Sequence, residues 1–306
     1  MAVLQRRHFL QAGMGALVWS VAGRPGLPKR TAALALGAEF PPMGSEPKEK
    51  LRDRFWIFTV YAGGDNQGWG LPRPSRMTPA EAAFYLGVPN LLFIRSDEQP
   101  PLDQFEQWAI PFRPLKRVVW SLVGSGGKTA QEERRRALEL PKRFPNIVGF
   151  IMDDFFRSDG SGALSPTELQ ELQKHLKTSD RKLDLYVVLY THQLHLPVQK
   201  YLEFCDKITL WTWHSKDLVE LQRNFERLEK LAPRHGKLLG CYLWDYGAKA
   251  PMPLDRMIRQ CQLGLQWLKA GRVEGMIFLG NTTCDLELES VEWTRTWIAE
   301  VGDQPL

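Results

Sequence analysis

One unit recurs along most of this chain: an apolar run, a polar turn, then a stretch with helical periodicity. The apolar runs are Phe55–Tyr61, Leu91–Ile94, Arg117–Val123, Ile147–Asp153, Leu185–Thr191, Lys207–Trp213, Leu238–Trp244 and Gly275–Leu279. Most lack strict alternation, as parallel strands do when helices cover them from outside. Eight strand–helix units predict an α/β chain whose parallel sheet closes into a single (β/α)8 TIM barrel. The rival, an open doubly wound sheet, usually carries a glycine-rich dinucleotide turn after its first strand. Ala62-Gly63-Gly64-Asp65-Asn66 does not match that turn.

The helical stretches carry their own start and stop signals. Thr78-Pro79-Ala80-Glu81 and Ser165-Pro166-Thr167-Glu168 each combine a capping box with proline at the first helical position. A helix opening at Asp217 runs through Phe225 and Leu228 to Leu231, where Pro233 stops it.

The N-terminus reads differently. Arg6 and Arg7 precede Phe9-Leu10, and an apolar run from Ala12 to Ala22 follows. A basic segment ahead of a moderately apolar one is the layout of a secretory signal. The arginine pair makes it resemble the twin-arginine class of export signals, although Gln5 stands where that class usually has Ser or Thr. The apolar run falls short of the roughly 20 residues a spanning helix needs, so no stable membrane anchor is expected. Ala33, Ala35 and Ala38 make cleavage before Glu39 plausible. Residues 1–45 are therefore read as signal and flexible leader, and 46–306 as barrel, close to the ~250 residues typical of that fold. The expected location is periplasmic or secreted, and the expected first partner is the twin-arginine translocation machinery.

Charge and cysteines exclude some classes. The formal net charge is +5, some of it in the leader, and Arg134-Arg135-Arg136 follows Glu132-Glu133 as a solvated helix face would. No basic stripe interleaved with aromatics suggests nucleic acid. The four cysteines have no CxxC spacing, which argues against zinc. His192 and His195 suggest no third ligand. No metal and no cofactor are expected.

In a TIM barrel, chemistry sits at the C-terminal ends of the strands. Those ends are rich in polar, aromatic and ionisable residues, among them Tyr61 with Asp65, Arg95 to Glu98, Asp153-Asp154, Tyr190 to His192, Trp211 to His214, Trp244 to Tyr246 and Asn281. The opposite ends are ordinary turn residues such as Pro145-Asn146. A purely structural barrel has no need of this asymmetry.

The sharpest element is Gly149-Phe150-Ile151-Met152-Asp153-Asp154. Alternation along a strand would point the two carboxylates in opposite directions, one into the mouth and the other toward the strand 4 loop or a neighbouring strand. Register with Gly149 and Ile151 favours Asp153 for the mouth and leaves Asp154 as the alternative. Like charges beside a dry core raise one pKa, which suits a general acid. The plainer alternative is that one aspartate caps the next loop or pairs with Arg157. Asp245, at the end of the seventh run, is the second candidate, and a carboxylate there could pair with strand 4 across a scissile glycosidic bond. It could instead simply hold a tyrosine or arginine.

The aromatics favour a sugar, because flat faces stack on the apolar face of a pyranose. Tyr61, Trp69, Trp120, Tyr190, Trp211, Trp213, Trp244 and Tyr246 lie at or near strand ends. Trp56, Trp267 and Trp297 read as core. His192 and His214 could orient a carboxylate or bind a hydroxyl. Gly124 to Thr129 looks like a phosphate loop, but Leu122 occupies the first required glycine position. Its backbone amides could still hold an anion.

These strand-end carboxylates and the aromatic rim make the chain resemble TIM-barrel glycoside hydrolases and their exported bacterial relatives. The resemblance implies a carbohydrate substrate and paired-carboxylate hydrolysis. The residues it nominates are Asp153, Asp154 and Asp245 for catalysis, with Tyr61, Asp65, Tyr190, His192, Trp211, Trp213, His214, Trp244 and Asn281 around the sugar. The chain departs from the commonest pattern in having Asp, not Glu, at strands 4 and 7, and it lacks the DxxDxDxE run of the chitinase-like group. A barrel that binds glycan without cleaving it is the alternative.

Overall fold

The structure, a computed structural model, describes residues 49–178 and 181–306. The leader expected at residues 1–45 lies outside the described residues.

Eight parallel strands close into a barrel, in the order β1-β10-β7-β6-β5-β4-β3-β2. They are β1 (Phe55–Thr59), β2 (Asn90–Phe93), β3 (Arg117–Val123), β4 (Ile147–Met152), β5 (Asp184–Tyr190), β6 (Lys207–Trp211), β7 (Gly236–Tyr242) and β10 (Gly275–Leu279). Two short strands, β8 (Trp244–Asp245) and β9 (Ala250–Pro251), form a separate antiparallel pair above the barrel. The single (β/α)8 barrel expected from the sequence is the fold observed.

The outer layer comprises α1 (Pro79–Leu86), α2 (Phe105–Ala109), α3 (Gln131–Arg143), α4 (Pro166–Thr178), α5 (Gln199–Leu202), α6 (Leu221–Leu231), α7 (Leu254–Lys269) and α8 (Glu289–Val301). Local chemistry starts α1 and α4 as expected, whereas the helix expected to open at Asp217 begins as a 3-10 turn (Ser215–Glu220) and becomes α6 only at Leu221. Thr78 accepts from the Glu81 amide while the Glu81 carboxylate accepts from the Thr78 amide, and Ser165 and Glu168 repeat the arrangement. These two reciprocal caps satisfy amides that a helix start leaves unpaired.

Strand interiors are continuously buried, as parallel strands between two layers must be. Close packing fixes glycine at Gly240 of β7, where a Cβ would collide with the Trp211 ring from β6. Trp211 is thereby laid flat against the barrel wall, 1% exposed, with its indole N–H donating to Thr209 Oγ1 at 2.8 Å.

Several strands stop earlier than their apolar runs suggest. β1 ends at Thr59, β4 at Met152, β6 at Trp211 and β7 at Tyr242. The residues beyond β1, β6 and β7 still read largely as apolar or aromatic, and those beyond β4 are Asp153 and Asp154, but all leave the ladder to line or support the mouth. This shortening decides where the candidate site residues point.

Candidate active site

The mouth of the barrel encloses a cavity of about 680 Å³ lined by residues in or just after each of the eight barrel strands. This is within the ~300–1,000 Å³ of small-molecule sites. Four carboxylates face it: Asp65, Asp97, Asp153 and Asp154. Among the described residues, no lysine, arginine or histidine lines it.

Asp153 and Asp154 both line this cavity, which corrects the expectation that they face opposite ways. β4 has ended at Met152, and Asp154 adopts a left-handed backbone with φ 44°, so strand alternation no longer applies. Left-handed backbone is uncommon outside glycine, and aspartate is among the residues that tolerate it. Two bonds hold the turned carboxylate: Tyr190 Oη donates to Oδ1 at 2.7 Å, and the Gly126 amide donates to Oδ2 at 2.8 Å. The anion met by the glycine-rich loop is thus a carboxylate of the chain itself.

Asp153 is buried, 7% exposed, and its amide still donates to Val123 O of β3 at 2.9 Å. Burial pushes its carboxyl well above the ordinary aspartate value, and the neighbouring Asp154 and the more distant Asp65 add to the rise. The group therefore holds its proton where a free aspartate has lost it.

Asp65 approaches from the loop after β1, three places around the eight-strand ring from β4. Tyr246 Oη donates to its Oδ2 at 3.0 Å and Thr282 Oγ1 at 2.5 Å. Burial raises its pKa and the Asp97 charge adds to that, while the two hydroxyl bonds oppose them. Asn66 anchors the loop by bonding both the amide and the carbonyl of Ser75. Asp97 stands exposed at the entrance and accepts from Tyr61 Oη at 3.1 Å.

Asp245 does not join this group. Its carboxylate is 3% exposed, with Oδ2 accepting from the Ser215 amide at 3.0 Å and Oδ1 from the Ala248 amide at 2.9 Å. It lies in the β8–β9 pair, beyond the barrel strand, and fastens two loops. Trp244 is also outside the cavity lining: it is buried, and its indole N–H donates to Trp69 O at 2.9 Å, so it supports Trp69 from behind. Asn281 borders the cavity, but its side chain is occupied, accepting from the Val60 amide at 3.0 Å and donating to Met77 O at 2.9 Å. Trp120 packs into the core against Phe93 and Phe105.

Aromatic residues make up much of the remaining wall. Trp69 meets Trp213 and Tyr246 edge-on, and Tyr242 packs on both Trp211 and Trp213. Tyr61, Tyr190, Trp211 and Trp213 line the cavity as expected, whereas His192 and His214 line a separate, more open cleft beside it. Asp97 and Tyr242 were missed as site residues. Asp97 stood in view at a strand end, but Tyr242 was hidden inside an apolar run read as strand.

Among the described residues, no three His, Cys, Asp or Glu side chains cluster as a metal site would require. No helix there is long and apolar enough to cross a membrane.

No family model and no curated relative matches this chain. Solved structures do. Active domain 2 of a chitinase from Pyrococcus furiosus is similar at a TM-score of 0.53 and 12% identity, over 85% of this chain and 99% of that one. A candidate α-L-fucosidase from Bacteroides thetaiotaomicron is similar at a TM-score of 0.52 and 12% identity, over 86% and 98%. At this identity the likeness establishes the TIM-barrel fold that they share.

Proposed function

We propose that this chain is an exported glycoside hydrolase acting on neutral glycans, with Asp153 as the proton donor. The observation that carries this is a buried Asp153, its carboxyl pushed well above the ordinary aspartate value, in a cavity walled by tryptophan and tyrosine and faced by three further carboxylates. A carboxyl kept neutral by its surroundings is the form needed to protonate a departing glycosidic oxygen. Aromatic faces suit the apolar face of a sugar ring, and a lining without basic side chains disfavours uronates and sulfated sugars.

The partner carboxylate in this reading is Asp65. It comes from a different side of the ring than Asp153, as flanking one bond requires, and the Tyr246 and Thr282 hydroxyls favour its charged form. Asp154 is a positioning carboxylate that keeps its neighbour protonated. The solved structures similar in fold include enzymes named for chitin and fucoside hydrolysis, which agrees with a sugar substrate. The twin-arginine-like leader would deliver the folded barrel to the periplasm or beyond.

The test is a screen of the purified protein against chromogenic glycosides and neutral polysaccharides, repeated with Asp153→Asn and Asp65→Asn. Hydrolysis lowered by about 10²-fold or more in both variants is expected. Equal activity in wild type and variants would overturn the mechanism. Binding without hydrolysis would favour a non-catalytic glycan-binding barrel, a reading helped by the hydrogen bonds already made to Asp65 Oδ2 and to both oxygens of Asp154. Export is tested by fusing residues 1–45 to a folded reporter. Delivery should be lost in cells lacking twin-arginine translocation.

A further inference from the structure

A second cleft of about 530 Å³ lies on the rim beside the main cavity, and Asp154, Tyr190 and Trp213 border both. The hydrogen-bonded Asp154–Tyr190 pair is thus a seam between a deep pocket and an open shelf. Asp153, one residue from that seam, faces only the deep side.

The shelf has the chemistry of a hydroxyl-binding surface. His192 stacks on Tyr190 with ring centroids 5.3 Å apart and planes 11° from parallel. His214 and the exposed Asp217 complete its polar edge, and Trp213 supplies an aromatic side. Part burial, with His195 and His214 nearby, holds His192 below the ordinary histidine pKa. At neutral pH its imidazole therefore carries both a donor and an acceptor, which matches a sugar hydroxyl better than an anion.

We infer that the shelf is a second sugar subsite, so that the substrate is a neutral oligosaccharide whose cleaved bond crosses the Asp154–Tyr190 seam. This rests on the glycoside hydrolase reading and extends it by placing sugar on both sides of the bond. A glycosidic oxygen lying over the seam would sit next to consecutive carboxyl residues, whose Cα atoms are ~3.8 Å apart. Asp153 would protonate that oxygen as the bond to the anomeric carbon breaks. The leaving sugar would depart over His192 and His214, and water would supply the new hydroxyl at the anomeric carbon, giving up its proton to the Asp65 carboxylate, from which it returns through solvent to Asp153.

The experiment uses linear β-1,3- and β-1,4-linked glucose and N-acetylglucosamine oligomers of increasing length, alongside the aryl glycosides of the single sugars. Wild type is compared with His192→Ala, His214→Ala and the double variant. The expected result is a wild-type kcat/KM that rises with the first added unit. The ratio of oligomer to aryl-glycoside kcat/KM should then fall about tenfold in the double variant. His192→Asn, which keeps a donor and an acceptor, should restore part of that ratio. Hydrolysis that is indifferent to both length and the two histidines would overturn this inference and leave the glycoside hydrolase reading standing. Failure of the wild type to cleave any oligomer or aryl glycoside would overturn both.

Discussion

Tyr190 donates its phenolic proton to Oδ1 of Asp154 over 2.7 Å while its ring lies against His192. One side chain from β5 thus fixes the turned carboxylate of β4 and packs a histidine of the shelf. Removing only the hydroxyl separates these roles. Tyr190→Phe keeps the ring contact and leaves Asp154 with the Gly126 amide alone. Bonds to charged groups contribute about 1.5–3 kcal/mol, so a tenfold or greater fall in kcat/KM is expected. Steady-state kinetics beside a melting curve would check it; unchanged kinetics would remove the positioning role of Tyr190.

Asp153→Asn replaces a neutral carboxyl with a neutral amide of nearly equal shape. Turnover should fall by about 10²–10⁴, least for aryl glycosides whose leaving groups need little protonation. Melting temperature should hold or rise, because the variant cannot acquire a buried charge. A large fall in melting temperature would mean that Asp153 is ionised and structurally paired instead.

Asp153 and Asp65 should contribute stability that declines as pH rises, opposite in sign to carboxylates held low by their partners, such as Asp53, Glu168 and Glu229. Burial lifts Asp153 and Asp65 above the ordinary 3.8. The folded state then binds protons that the unfolded chain has released, so ΔG of unfolding falls with pH. The contribution is complete below 3.8 and is lost as pH climbs through the raised values of the folded state. Urea titrations of wild type and Asp153→Asn across this range should differ by that slope, the stability of wild type relative to the variant falling as pH rises. The alkaline limb of kcat/KM should track the same proton.

Asp245→Ala should act on stability rather than on chemistry. It strands the buried Ser215 amide, at about 1–3 kcal/mol for a buried unsatisfied group, and leaves the exposed Ala248 amide to water. Denaturant unfolding would measure the loss, and turnover per folded molecule should stay within a few-fold of wild type. A loss of turnover to the level of Asp153→Asn would return Asp245 to the catalytic set.

The barrel was legible because its signal repeats eight times, and errors of a few residues at each strand end do not change topology. The site was less legible for the same reason. Asp153 and Asp154 were found because two charges ending an apolar run are conspicuous. That they face the same cavity depends on a single φ angle at Asp154. Asp245 misled because the apolar run Leu238–Trp244 continues past the last barrel pairing at Tyr242, placing a loop-fastening carboxylate where a strand end was expected. Asp65, six residues beyond β1, acquires its place from Asn66, Tyr246 and Thr282, partners that sequence spacing does not announce.

Trp213 borders both cavities, and this placement makes occupancy visible without a label. A sugar ring laid on its part-exposed indole displaces water and shifts its emission. Trp120 and Trp244, sealed away from the cavity, supply a constant background among the 11 tryptophans of the chain. Filling of the shelf and filling of the deep pocket, where Trp69 also lies, would differ in quenching by iodide, so the molecule carries its own two-channel reporter.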